Sequence, residues 1–310
     1  MTPLTQIIAT EVDRESFPSA LAMANHLKQH HGDAVEAIIF YGSCLRQRKD
    51  NDLLMDFYVI VSAYQEIHKN NLSALMNWLL PPNVYYHELP FENRIIRAKV
   101  AVISLSQFVG GNTPKSFSPL FWARFSQPTA ILYTRSSNTR RHIISSLADA
   151  VRTLLDKTKP LLKRHASWRG YWIRAFTETY RSELRPEAPD RPASLVDADF
   201  ARYKTVAEAA LIGDSSVITD SDGNLTICVS ESTRRASLIA WAFRRLQGKI
   251  LNFLRLIKAG FTFSGGLDYL VWKIERHSGV KVTITDAQRA NPIRSGLRLY
   301  LKTRKRGAFH

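Results

Sequence analysis

The sequence predicts an α/β (α+β) fold: a mixed sheet layered with helices, a mainly helical second domain, and a basic amphipathic C-terminal region. Short apolar runs typical of buried strands alternate with helical patterns through the first half of the chain. Helical patterns dominate the second half, and the basic residues are concentrated towards its end. These observations place the three regions at residues 1–160, 161–232 and 233–310.

The first region carries the predicted sheet. A helical pattern over residues 15–31 ends at Gly32, and a second covers residues 138–162. Between them, continuous apolar runs predict strands, because strands buried on both faces lack polar alternation. The predicted strands are VEAIIFYG (35–42), LLMDFYVIV (53–61), NVYYHEL (83–89), AKVAVISL (98–105) and AILYT (130–134), with a helix at NNLSALMNWLL (70–80).

The second region is predicted to be helical with a small hairpin. An aromatic helical pattern covers residues 165–183, and a further helix is predicted over residues 197–213. The Asp222-Gly223 pair is a strong hairpin signal, because Gly readily adopts the positive φ that a tight turn requires.

Residues 233–258 form the clearest amphipathic helix. Two interpretations are open for its apolar stripe: packing on the second domain, or contact with an anionic membrane surface. Basic side chains, Arg244, Arg245, Arg255 and Lys258, project from other sides of the helix. The stripe consists of Ile239, Phe243, Leu246, Ile250, Phe253, Leu254 and Ile257.

The net charge of +16 lies mainly in the C-terminal region, which carries 17 Lys and Arg but three acidic residues from Ser232 onwards. Such a field attracts an anionic membrane surface or, as the less favoured partner, nucleic acid. The two cysteines lack ligand spacing, and neither a secretory signal nor a membrane-spanning run is apparent. We therefore expect a cytoplasmic protein that is peripheral on the inner face of the membrane.

The segment from Phe40 to Val61 places one carboxylate, Asp56, inside an apolar strand that follows a Gly42-Ser43 turn. An unpaired carboxylate there costs several kcal/mol, and a divalent ion is one arrangement that recovers this free energy. Glycine also lets the backbone approach a phosphate, and the hydroxyl and amide groups supply donors. The alternative is that Asp56 faces solvent or pairs with an arginine and that Gly-Ser is only a turn.

This arrangement resembles the active site of the nucleotidyltransferase superfamily, and the chain is similar to its mitochondrial-type CDP-diacylglycerol synthases. The motifs that carry the resemblance are FYGSCL, MDFYVIV, VYYHEL, IIRAKVAVISL and SPLFWARFSQPTAIL, in that order, over about residues 35–135. The resemblance implies a nucleotidyltransferase-like fold and Mg²⁺-dependent transfer of CMP from CTP to phosphatidic acid.

Residue roles follow from the same resemblance. Asp56 would bind Mg²⁺, while Lys99 and Arg124 would neutralise phosphate, and all three are the candidate catalytic residues. The position two before Asp56, where a second carboxylate usually stands, is Leu54. Asp52 is the candidate second metal ligand, and the alternatives are that Asp50 or the nucleotide itself completes the shell and that Asp52 is only a loop residue. The turn residues Tyr41, Gly42, Ser43 and Cys44 would bind the nucleotide.

Some of these residues also have an interpretation in which they play no part in catalysis. Lys99 could be a solvated strand-edge lysine, and Arg124 could belong to a surface ion pair. His87, in VYYHEL, is expected to be structural. At the level of the whole chain, the alternatives are another nucleotidyltransferase, acting on RNA, protein or a small molecule, and a non-catalytic nucleic-acid-binding protein.

Overall fold

The core of the protein is a five-stranded mixed sheet. We analysed a computed structural model that describes residues 2–49, 54–68, 70–183 and 188–262. Its strands are β1 (Val35–Tyr41), β2 (Leu54–Val61), β3 (Asn83–Phe91), β4 (Arg94–Ser104) and β5 (Thr129–Thr134). Their order is β3-β4-β2-β1-β5, with β2 and β4 parallel and the other pairs antiparallel. The five predicted strands and the mixed α/β class are confirmed.

Eleven helices lie in the described residues. The first six are α1 (Pro3–Glu11), α2 (Pro18–His31), α3 (Ser43–Gln47), α4 (Asn71–Leu79), α5 (Leu105–Asn112) and α6 (Leu120–Phe125). The remainder are α7 (Ser137–Thr158), α8 (Trp168–Tyr180), α9 (Arg191–Asp197), α10 (Phe200–Ala210) and α11 (Glu231–Thr262).

A small second sheet contains the predicted hairpin. It consists of β6 (His165–Ala166), β7 (Val217–Thr219) and β8 (Leu225–Ile227), in the order β6-β8-β7. The helix predicted over residues 197–213 is present as α10, but it covers only Phe200–Ala210, because the backbone is not helical at Asp199 (φ −153°, ψ 52°), between α9 and α10.

The two faces of the main sheet belong to different hydrophobic cores. On β2, Met55, Phe57 and Val59 pack in the core that α2 covers, whereas Tyr58 and Ile60 pack in the core that contains α7. Because successive strand residues point to opposite faces, Asp56 shares the face of Tyr58 and Ile60. The carboxylate is therefore directed towards the helices of the chain's second half.

The core on the α7 side continues across the predicted boundary at residue 160. It includes Leu155 of α7, Trp172 of α8, Tyr203 of α10 and Trp241 of α11. Hydrogen bonds reinforce this packing: the Trp172 indole donates to the Tyr203 carbonyl at 2.7 Å, and the Trp241 indole donates to the Lys157 carbonyl at 2.9 Å. The helical part is therefore packed directly against the sheet.

Helix α11 confirms the helical pattern predicted for residues 233–258, but its orientation is unexpected. Arg244 is only 5% exposed, and its guanidinium donates to the Phe117 carbonyl at 3.2 Å. Arg245 pairs with the buried Glu178 at 2.8 Å, Arg255 donates to the Pro81 carbonyl at 2.9 Å, and Lys258 donates to the Pro82 carbonyl at 3.2 Å. These four basic side chains bind the protein, which corrects the expectation that they are available to an anionic surface.

The apolar stripe of α11 faces outwards. Its seven side chains are all exposed, from 39% for Leu254 to 59% for Ile239 and Phe243. The interpretation in which the stripe packs on the second domain is therefore wrong. Arg235 and Lys249 are the exposed basic residues among the described side chains of α11.

Gly248 fixes how closely α11 approaches the rest of the protein. A Cβ atom at this position would collide with the Ser182 backbone carbonyl oxygen. We expect Gly248→Ala to destabilise the fold by about 1–3 kcal/mol, because backbone cannot yield as a flexible side chain does. The measurement is urea unfolding.

Gly110→Ala in α5 is the control, since nothing lies within 4 Å of its added methyl group, and that variant should be neutral or slightly stabilised. Equal stabilities of the Gly248→Ala variant and the wild type would contradict this packing.

Within the described residues, no helix combines the length and the apolar character needed to cross a bilayer.

Candidate functional site

Strand register brings three of the predicted residues together. Tyr41 of β1 pairs with Asp56 of β2, and Asp56 pairs with Lys99 of β4. Residues that are opposite one another on neighbouring strands direct their side chains to the same face of the sheet. Tyr41, Asp56 and Lys99 therefore form a row across the middle of the sheet, on the face that the helices α6 and α11 cover.

The Gly42 turn lies directly against the Asp56 carboxylate. Gly42 has a φ of +91°, and a Cβ atom added to it would lie 2.6 Å from Oδ2 of Asp56. Only glycine fits this position, both because of its φ and because of the close approach. The turn at the end of β1 and the carboxylate on β2 thus belong to one site.

A cavity of about 260 Å³ opens above this row of residues. This volume is many times that needed to hold a single water molecule. Residues from both halves of the chain line it: Tyr41, Gly42, Ser43, Arg46, Asp56, Lys99, Ser118, Pro119, Leu120, Ala123, Arg124, Gln127, Thr179, Tyr180, Ser182, Glu183, Arg191, Gly248, Asn252 and Arg255.

The lining is strongly cationic. Among the described residues that line the cavity are five cationic and two acidic side chains, which gives a formal charge of +3. The cationic residues are Arg46, Lys99, Arg124, Arg191 and Arg255, and the acidic residues are Asp56 and Glu183. Cationic side chains in a concave, partly desolvated site attract polyanions more strongly than they would on an open surface.

Arg124 is held at the cavity wall by Tyr41. The guanidinium donates to the Tyr41 hydroxyl at 3.0 Å and lies 5.5 Å from the centre of the Tyr41 ring. The guanidinium also hydrogen-bonds the Tyr58 side chain, and its planar fork of five N–H donors is suited to contact with a phosphate. The position of Arg124 in the cavity rules out the alternative that it forms a surface ion pair.

Burial shifts the pKa values of both Asp56 and Lys99. It raises the pKa of Asp56, although Lys99, Arg124 and Arg46 oppose the shift. Burial also lowers the pKa of Lys99, Arg124 acts in the same direction, and Asp56 opposes the shift. Both charged forms are therefore maintained at a cost in folding free energy, a common property of functional sites. Lys99 is half-buried in the cavity wall and is not a solvated strand-edge lysine.

Cys44 is the one described candidate whose side chain the structure does not bring to the site. It is fully buried in the core beneath α2, and its Sγ donates to the Leu54 carbonyl at 3.3 Å. The prediction that Cys44 binds the nucleotide is thus wrong for its side chain, because α3 starts immediately after Gly42 and turns this residue inwards. Asp52, the predicted second metal ligand, lies outside the described residues.

Several lining residues were not predicted. Arg46 lies on α3, four residues after Gly42, and donates to the Gln127 side chain at 3.2 Å. Glu183, Arg191 and Arg255 come from the helical half, and only the fold brings them to the sheet. The position of Arg46 beside the turn was a usable sequence signal, whereas no local pattern links the other three to Asp56.

A magnesium ion fits the residues present. Mg²⁺ is usually bound through one or two protein carboxylates, with waters and substrate phosphates completing its shell. The Asp56 carboxylate borders both the Gly42 turn and the cavity, so it could hold such an ion beside a bound phosphate.

Sequence comparison does not assign the chain to a family. No protein-family model matches it, and no curated protein matches it significantly.

Proposed function

We propose that the protein is a phosphatidate cytidylyltransferase, an enzyme that transfers CMP from CTP to phosphatidic acid and releases pyrophosphate, with Mg²⁺ as cofactor. The observation that carries the proposal is the cationic cavity in which the Gly42–Ser43 turn, Asp56, Lys99 and Arg124 meet. The sequence resemblance of residues 35–135 to the CDP-diacylglycerol synthases supplies the identity of the two substrates.

The proposed reaction needs little covalent chemistry from the protein. An oxygen of the phosphatidate phosphate attacks the α-phosphorus of CTP, and the bond from that phosphorus to the bridging oxygen of the β-phosphate breaks. The attacking phosphate is already ionised at neutral pH, so no strong general base is required. Positioning and charge neutralisation are the main contributions that remain for the site.

The cavity residues divide these tasks. Gly42 and Ser43 would hold the triphosphate against the turn, and Lys99 and Arg124 would stabilise the charge that develops as pyrophosphate leaves. Asp56 would hold Mg²⁺, which when bound neutralises phosphate charge in this class of reaction. Arg191, from the helical half, is suited to the phosphate of the second substrate.

The exposed stripe of α11 supports a substrate that resides in a membrane. One face of this helix lines the cavity through Gly248, Asn252 and Arg255, while the opposite face presents the apolar stripe. We propose that the stripe inserts into the interfacial region of an anionic bilayer, which the positive charge of the C-terminal region attracts. A bilayer there would lie one helix diameter from the cavity.

We expect the double variant Ile250→Glu/Phe253→Glu to lose binding to phosphatidate-containing vesicles by at least about 100-fold. Burial of each such side chain contributes roughly 1.5–3 kcal/mol, and the added charges oppose insertion. Vesicle sedimentation measures the effect. Because both side chains are exposed, the thermal stability of the variant should remain that of the wild type.

The matched control for this variant is Ile212→Glu, which changes a 68% exposed side chain between α10 and β7. This variant should sediment as the wild type does. Equal sedimentation of the double variant and the control would remove the stripe from the proposal. Deletion of residues 233–310 is a poorer test, since it would also remove Trp241 from the core and Arg255 from the cavity.

A substrate panel tests the proposed reaction against its alternatives. The four ribonucleoside triphosphates are each incubated with Mg²⁺ and either phosphatidate vesicles, RNA or no acceptor, and pyrophosphate release is measured. We expect release only from CTP with phosphatidate. Release that depends on RNA would favour another nucleotidyltransferase, and no release under any condition would favour the non-catalytic alternative.

A further inference from the structure

Four histidines meet on the face of the sheet opposite the cavity. His26, His30 and His31 lie on α2, and His87 lies on the edge strand β3. The rings pack closely, with centroids 5.5 Å apart for His26 and His87 and 5.2 Å apart for His30 and His87. Tyr85 and Leu89, which flank His87 on the same face of β3, pack in the core beneath α2, so the cluster is separate from Asp56.

The nitrogens of this cluster are close enough to share an ion. One ring nitrogen from each of His30, His31 and His87 lies within 4.8 Å of the others. Nε2 of His26 is 3.4 Å from Nδ1 of His87. In a tetrahedral zinc site with Zn–N distances of about 2.0–2.1 Å, nitrogen atoms are about 3.3 Å apart. The His26–His87 pair, which is hydrogen-bonded in the absence of an ion, has a similar spacing, and rotation of the imidazoles would contract the trio of His30, His31 and His87.

An unsatisfied nitrogen points to a missing partner. Nε2 of His31 is buried without a hydrogen bond, and buried polar atoms without a partner are uncommon in proteins. His30, in contrast, is exposed, so an ion can enter from solvent. A cation held by the surrounding nitrogens would satisfy the buried atom.

We propose that His26, His30, His31 and His87 form a binding site for a divalent transition metal ion, best suited to Zn²⁺. Imidazole nitrogens favour Zn²⁺, Cu²⁺ and Ni²⁺, whereas Mg²⁺ prefers oxygen ligands, so this site would be distinct from that proposed at Asp56. Burial, reinforced by the neighbouring histidines, lowers the pKa of His31 and of His87 to about 4. Neutral imidazoles are the form that binds a metal.

The position of the site indicates a structural role. The metal would link the C-terminal end of α2 to β3, the strand at the edge of the sheet. A link of this kind stabilises the folded state because the separated ligands of the unfolded chain bind the ion less well.

Metal titration of the full-length, untagged protein tests the site. After treatment with EDTA and dialysis, the protein is titrated with Zn²⁺ by calorimetry and with Co²⁺ by visible absorption. We expect one tightly bound ion per chain, an intense Co²⁺ spectrum typical of tetrahedral geometry, and a higher unfolding temperature with Zn²⁺. Absence of saturable binding, or an octahedral Co²⁺ spectrum, would overturn the proposal.

Variants locate the ion. His87→Gln should weaken Zn²⁺ binding by at least about 10-fold, and the exposed His30→Gln provides a second test in case the first variant does not fold. The control is His142→Gln, which changes an exposed histidine on α7 and should bind Zn²⁺ as the wild type does. Wild-type affinity in both folded cluster variants would show that the ion binds elsewhere and would contradict the assignment.

Discussion

Replacing Asp56 by Asn is expected to abolish cytidylyl transfer and at the same time to stabilise the protein. The loss of activity should be at least about 10²–10³-fold, because the amide lacks the charge needed to hold Mg²⁺ at the phosphates. The gain in stability follows from the pKa of Asp56, which burial raises above its usual value despite Lys99 and Arg124. At neutral pH the buried, ionised carboxylate of Asp56 lowers the free energy of unfolding. This destabilisation disappears as the pH falls below the usual pKa of an aspartate.

The two readouts for this variant are pyrophosphate release from CTP with phosphatidate and the unfolding temperature at pH 7. The control is Asp149→Asn on α7, because burial likewise raises the pKa of Asp149 but the residue lies outside the cavity. The control should retain activity. An Asp56→Asn variant that is fully active would eliminate the metal-binding role, and one that is inactive but also unstable would indicate a structural role instead.

Replacing Gly42 by Ala is expected to impair both folding and activity. The φ of +91° alone costs about 1–3 kcal/mol in a residue with a Cβ atom. The new methyl group would also lie 2.6 Å from Oδ2 of Asp56, so the carboxylate has to move. A displacement of about 1 Å at a reacting centre can reduce the rate by about 10²-fold, and we expect a loss of that order even where the variant is folded.

Gly32→Ala separates the two effects. Gly32 also has a positive φ, of +58°, but nothing lies within 4 Å of an added Cβ atom. This control should lose stability through strain and keep its activity, whereas Gly42→Ala should lose both. Urea unfolding and pyrophosphate release measured on the two variants provide the comparison, and full activity of the Gly42→Ala variant would contradict the proposed role of the turn.

The sheet could be predicted from sequence because its signals are local. Each strand is a continuous apolar run, so the bounds of β1 and β2 were close to those observed. The short helices α3 and α6 were not predicted, since five or six residues are too few to establish a helical period. Both carry cavity residues, Arg46 and Arg124.

The composition of the cavity depended on long-range contacts. Asp56 and Lys99 are adjacent because β2 and β4 are parallel neighbours, and no local pattern specifies that pairing. The orientation of α11 also could not be predicted from sequence, because an amphipathic pattern does not show which face of the helix packs against the protein. In this helix the buried face is the one with Trp241, Arg244 and Gly248, and the large aliphatic residues are exposed.

The most direct test of the proposed function follows the phosphate that is transferred. The protein is incubated with Mg²⁺, phosphatidate vesicles and CTP radiolabelled at either the α- or the γ-phosphate, and the lipid is then extracted. We predict label in the lipid fraction with α-labelled CTP only, and none with the Asp56→Asn variant. Label transferred from the γ-phosphate, or no lipid label from either CTP, would contradict the proposal.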